Sequence, residues 1–163
     1  MFPCQGRCRR FESGPPLRMK ITSSAFENNT KIPFKYTCDG NNVNPPLSFS
    51  DIPQNAKSLT LIVDDPDAPA ETWVHWLVFN INPKVTNVEE GKIPSGSQEG
   101  ITSFGKTGYG GACPPSGTHR YFFKLYALDT VLNLTNPDKA ALEKEMQNHI
   151  LAKAELIGLY KRK

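Results

Sequence analysis

The chain has 163 residues, 38% of them hydrophobic, with a net charge of +3 and a mean hydropathy of −0.44; that is enough for one domain with a sizeable core. Its longest apolar run, Trp76-Leu77-Val78-Phe79, is far short of the ~20 residues a membrane span needs, so no transmembrane segment is expected. The basic residues are spread out and cluster only at the ends, which argues against a nucleic-acid partner.

In chain order, the first 18 residues, MFPCQGRCRRFESGPPLR, carry arginines and prolines without periodicity. They lack the apolar centre of a secretory signal, so residues 1–18 are expected to be a disordered extension and residues 19–163 a single domain. Lys57–Val63, Val74–Ile81 and His119–Leu128 are rich in β-branched or aromatic residues. Pro or Gly clusters bound each of them, and each reads as a strand. Between the second and third lies a long, glycine-rich, strand-poor stretch from Val85 to Pro115, a length that marks a functional loop.

Asn136 then caps a helix, with Pro137 in its first turn and Asp138 at its positive end, and Ala141, Leu142, Met146 and Ile150 follow at helical spacing. A final strand is expected from about Ala152, because Gly158 would cost a helix ~1 kcal/mol. With no strand–helix alternation, a parallel sheet is disfavoured. The fold class expected is mainly β, an antiparallel Greek-key-like sandwich of two sheets with one or two short peripheral helices.

Three stretches carry polar residues suited to a site. In Asp64-Asp65-Pro66-Asp67-Ala68-Pro69, Asp65 and Asp67 can accept bonds from backbone N–H groups two residues on. For Asp67 that turn role is preferred; for Asp65 turn and site are equally open. His75 shares one strand face with Trp73, Leu77 and Phe79 by simple alternation, where a lone histidine is more often a core residue than a ligand. Cys113-Pro114-Pro115-Ser116-Gly117-Thr118-His119-Arg120-Tyr121 delivers His119 at the start of a strand, next to a loop, where sites tend to lie. Cys38 and Cys113 each sit in a Gly/Pro-rich loop. A disulfide between them is geometrically open, but the reading adopted is two reduced thiols.

Together these stretches resemble the phosphatidylethanolamine-binding protein family, which includes the Raf-kinase-inhibitor-like proteins. The resemblance rests on Asp65-Pro66-Asp67-Ala68-Pro69, Trp73-Val74-His75-Trp76 and Pro114-Pro115-Ser116-Gly117-Thr118-His119-Arg120-Tyr121. Tyr36-Thr37-Cys38-Asp39-Gly40 and Phe104-Gly105-Lys106-Thr107-Gly108-Tyr109-Gly110-Gly111 are similar to the bacterial and archaeal branch. The resemblance implies a β-sandwich with a small cavity for phosphate or a phosphorylated headgroup such as phosphoethanolamine. It places Asp65, His75, His119 and Tyr121 in that cavity, with Pro69, Cys113, Pro114 and Pro115 as its rim. It further implies a binding or regulatory role, possible kinase- or protease-inhibitor-like modulation of a protein partner, a homodimer, a cytoplasmic location, no cofactor and no enzymatic activity.

The chemistry is coherent, since imidazoles donate to phosphate oxygens, while Asp65 would repel a dianion and is better suited to orienting a histidine. Two alternatives are carried: a small hydrolase with Cys113 as nucleophile and His119 as base, and a metal site of His75, His119 and Asp65.

Overall fold

The structure, a computed structural model, describes residues 18–162; apart from Arg18, the extension expected at the N-terminus lies outside the described residues. The apolar strands form as their composition dictates: β4 (Ser58–Asp65), β5 (Trp73–Ile81) and β8 (His119–Leu128). They are joined by β9 (Ile150–Tyr160) and by the short β2 (Thr30–Lys31) and β7 (Gln98–Glu99) into a six-stranded sheet ordered β2-β9-β8-β4-β5-β7. The sheet is antiparallel except where β2 runs parallel to β9. A second sheet of β1 (Lys20–Thr22), β3 (Leu47–Ser50) and β6 (Asn87–Val88) packs on one of its faces. The expected mainly β sandwich of two sheets is therefore the observed one.

Alternation divides the side chains between two cores. Ile21, Leu47, Phe49 and Val88 from the small sheet meet Leu61, Val63, Trp76, Phe123 and Leu156 from the large one. On the outer face Ile62, Val74, Leu77 and Phe79 pack under helix α1 (Lys139–Met146) through Leu142 and Met146. Each of these fully buried side chains contributes about 1.5–3 kcal/mol. Gly158 admits this packing, since a Cβ there would stand 2.4 Å from Ile32 Cγ1. Among the described residues no helix is long and apolar enough to cross a membrane.

Three sequence expectations are corrected. Helix α1 begins two residues later than the sequence reading, with Asp138 instead of Asn136 as its cap, the Asp138 side chain accepting from Ala141 N–H at 2.8 Å, and it stops at Met146. Asn148 adopts φ 67°, a left-handed turn that sends Ile150 into β9 instead of a further helical turn. The second correction concerns β5. Val63 pairs with Trp76, yet the next residue, Asp64, pairs with Val74, so His75 is the extra residue of a β-bulge. His75 therefore leaves the sheet on the sandwich side together with Trp76, not with Leu77 and Phe79.

The third is the cysteines. Thr37 bridges Ala112 in parallel and Cys38 N–H donates to the Ala112 carbonyl at 3.1 Å, which sets the two cysteines side by side. They form a disulfide, with Cα atoms 5.4 Å apart across 75 residues of sequence, and are not free thiols.

Candidate functional site

The β4–β5 turn, the bulge in β5 and the start of β8 meet at one end of the sandwich. Asp65, the last residue of β4, is buried. One of its oxygens accepts the Asp67 backbone N–H at 2.8 Å, closing the turn that Pro66 and Pro69 stiffen. The other lies 2.6 Å from His119 Nδ1, so Asp65 orients that imidazole.

Asp67 points outward. It accepts the Arg120 backbone N–H and both arms of its guanidinium at 2.9 Å. Arg120 holds the Asp67 carboxyl down at about 2. The ion pair ties the turn to β8, a structural role, though by pairing with Arg120 and not by capping its own turn as expected from sequence.

His75 is fixed by a double contact with Gly110. Its Nδ1 stands 2.8 Å from the Gly110 carbonyl, and its own carbonyl accepts the Gly110 N–H at 2.9 Å. A carbonyl only accepts, so Nδ1 carries the hydrogen and Nε2 is the ring's one uncommitted nitrogen. Burial is the main cause holding the His75 pKa below the usual imidazole value, the Gly110 bond and the Asp65 charge opposing it; the ring is neutral at neutral pH.

Tyr121 sits between the two imidazoles, edge-on to His75 at 5.2 Å and stacked on His119 at 6.5 Å. Its buried hydroxyl makes no hydrogen bond of good geometry among the described residues; the Asp65 carboxylate and the Cys113 backbone are polar neighbours within weaker reach. Burial, and then the Asp65 charge, raise its pKa above the ordinary phenol range.

In front of this cluster opens a cavity of about 310 Å³ lined by Asp65, Pro69, Trp73, His75, Cys113 and Pro115, with Ala68 and Phe104. His119 and Tyr121 stand behind Asp65 and His75 and are not among its lining residues, and neither is Pro114. Reading the sequence missed the apolar wall of Ala68, Trp73 and Phe104. Phe104 packs edge-on against both Trp73 (5.7 Å) and His75 (5.4 Å). Its ring lies over Gly110, where an added Cβ would come within 2.3 Å of it. An aromatic in a glycine-rich loop was the available signal, but its partner could not be read.

The alternatives fare differently from the cluster. Cys113 is bonded to Cys38 and has no thiolate to offer as a nucleophile. Among the described residues no three His, Cys, Asp or Glu side chains are arranged to hold a metal ion, and both Asp65 oxygens are already engaged.

Three comparisons bear on this geometry. A family profile described as "Phosphatidylethanolamine-binding protein" matches residues 22–161. A UPF0098 protein of Methanothermobacter thermautotrophicus is 51% identical over 150 residues, spanning 88% of this chain and 99% of the relative. One from Chlamydia muridarum is 49% identical over 152 residues, spanning 87% and 98%. Among solved structures, a Chlamydia trachomatis homolog of phosphatidylethanolamine-binding protein superposes with a TM-score of 0.86 at 45% identity, over 90% of this chain and 99% of that one. Escherichia coli YbcL, described as a new member of the mammalian family, gives 0.84 at 32% identity, over 90% and 100%.

Proposed function

The chain belongs to the phosphatidylethanolamine-binding protein family, and from that membership and the cluster above we propose that it binds a small phosphorylated or carboxylated ligand without turning it over. The ligand class expected is phosphate or a phosphorylated headgroup such as phosphoethanolamine. The observation that carries this reading is His75, which lines the cavity with its Nδ1 committed to the Gly110 carbonyl. That leaves Nε2 with no hydrogen-bond partner among the described residues, and so open to a ligand. Trp73 and Phe104 supply an apolar wall, as small-ligand sites generally do.

A regulatory role follows in this reading, with ligand occupancy modulating a kinase or protease partner, and the working assembly is a homodimer, to be checked by sedimentation. The Cys38–Cys113 disulfide weighs against the cytoplasmic location expected from sequence, since structural disulfides are characteristic of oxidising compartments.

Histidine-resolved NMR during titration with phosphate and then phosphoethanolamine tests the site. Saturable shifts at His75 and His119 are expected. His149, whose Nδ1 lies 2.7 Å from Asp129 on the far side of β8, should not move. Equal movement of all three histidines, or none, would remove the assignment.

A further inference from the structure

The β5 bulge brings two neighbouring side chains, His75 and Trp76, to the sandwich side of the sheet, and they open into different cavities. His75 lines the one described above. Trp76 lines another, of about 570 Å³, bounded by Asn44, the segment around Lys92, Glu99 of the edge strand β7 and Tyr109 of the glycine-rich loop. The two cavities share no lining residue.

The charges around this second cavity do not balance. Lys92 pairs with Glu89 at 2.9 Å, and Lys35 pairs with Glu90, but Glu99 has no cationic partner among the described residues. Its Oε2 accepts the indole N–H of Trp76 at 2.8 Å. An indole is a neutral donor, so this bond aims the carboxylate and leaves its charge in place, with Oε1 uncommitted. Asn44 adds a second acceptor. Its amide nitrogen donates to the Pro45 and Glu89 carbonyls at 3.3 and 3.1 Å, which leaves its oxygen without a donor among the described residues. Tyr109, edge-on to Trp76 at 5.5 Å, and the exposed Ile93 supply apolar surface beside these oxygens.

We propose that this cavity is a second binding site, for a primary ammonium group carried on an apolar stem. The anchor is Glu99 Oε1, with the Asn44 amide oxygen as the second acceptor, and the stem lies against Tyr109 and Ile93. With one carboxylate oxygen already held by Trp76, the parallel two-oxygen grip that a guanidinium favours is not on offer. A compact ammonium needs only single acceptors, and it is charged at neutral pH. Lys92 also lines the cavity; its charge works against a cationic ligand and is offset by Glu89. A free alkylamine and the lysine side chain of a partner protein share the chemistry this site recognises.

The chain has two tryptophans, Trp73 and Trp76, one in the lining of each cavity, so their indole N–H signals in heteronuclear NMR report on the two cavities separately. Titration of the full chain with phenethylammonium chloride at neutral pH is expected to shift the Trp76 signal saturably, with a Kd of about 1 mM, and to leave Trp73 in place. Acetyl-lysine methylamide, standing for a partner's side chain, should move the same signal, and the tighter of the two probes assigns the source. Glu99→Gln keeps an acceptor for the indole and removes the charge; it should weaken binding at least about tenfold. Lys92→Gln should strengthen it about twofold. If Glu99→Gln does not fold, phenethyl alcohol makes the same comparison on the unmodified protein and should bind at least about tenfold more weakly than the amine. No saturable shift of Trp76 with either probe, equal shifts at both tryptophans, or an alcohol or a Glu99→Gln variant that binds as well as the parent pair overturns the inference. Each of those results leaves the anion cavity standing, since a phosphate ligand is read at His75 and Trp73.

Discussion

Asp64 and Asp65 are neighbours on one strand, both buried, and the sheet sends their side chains to opposite faces. On the helix side, Asp64 accepts Lys139 Nζ at 2.8 Å and Lys124 Nζ at 3.1 Å on the same oxygen. On the cavity side, Asp65 meets a backbone amide and an imidazole and no full cation. The first carboxylate is over-compensated and pins α1 to the sheet. The second has an imidazole as its one side-chain partner among the described residues. What the pair teaches is that the degree of compensation, not burial itself, separates a structural acid from one placed to respond to a ligand.

Substitutions at and around the two acids should differ widely in their effects. Replacing Cys38 and Cys113 together by Ser reopens a loop of 75 residues behind the cavity wall. It should cost about 4 kcal/mol by loop-closure entropy, read as a shift in the urea midpoint.

Asp64→Asn strands Lys124 and Lys139, whose side chains are 21% exposed. The cost expected is about 2–3 kcal/mol, below that of a fully buried pair because both ammonium groups still reach water. Ligand affinity should be unchanged, so a large loss of binding here would erase the distinction between the two acids.

Gly110→Ala should do the reverse. Its Cβ displaces the Phe104 ring, which is 42% exposed and can swing out cheaply. Affinity for phenyl phosphate should fall about tenfold, equivalent to ~1.4 kcal/mol, with a thermal midpoint within a few degrees of the parent.

The smallest effect belongs to Asp67. With its pKa lowered from 3.8 to about 2 by Arg120, its contribution is complete above about pH 4 and lost as pH falls toward 2. Arg120 is 53% exposed, so the loss should stay under about 1 kcal/mol. Asp67→Asn should flatten this part of the acid-unfolding curve. His75 acts in a higher window: buried neutral, with its pKa lowered, it makes stability fall as pH drops below about 6.5.

Much of this was legible in the sequence, because it depends on local pattern. The apolar strands, the existence of the helix after Asn136 and the opposite facing of Asp64 and Asp65 all follow from periodicity and propensity. What was not legible depends on pairing between distant segments. The β5 bulge exists because Asp64 pairs with Val74 after Val63 has paired with Trp76, and no alternation within β5 alone announces it. It decides which way His75 faces. The disulfide likewise follows from the Thr37–Ala112 bridge, and the lysine pair on Asp64 from where α1 docks. The cluster of Asp65, His75, His119 and Tyr121 came from family resemblance. The residues alone left His75 as a core histidine and Asp65 evenly divided between turn and site.

The most direct test is a crystal structure of the protein with phenyl phosphate at pH 6. The phosphoryl group is expected within hydrogen-bond distance of His75 Nε2, with the phenyl ring against Trp73 and Phe104. A phosphoryl group bound instead in the groove of Lys31, Lys161 and Arg162 beside Tyr160, with the cavity empty, would contradict it.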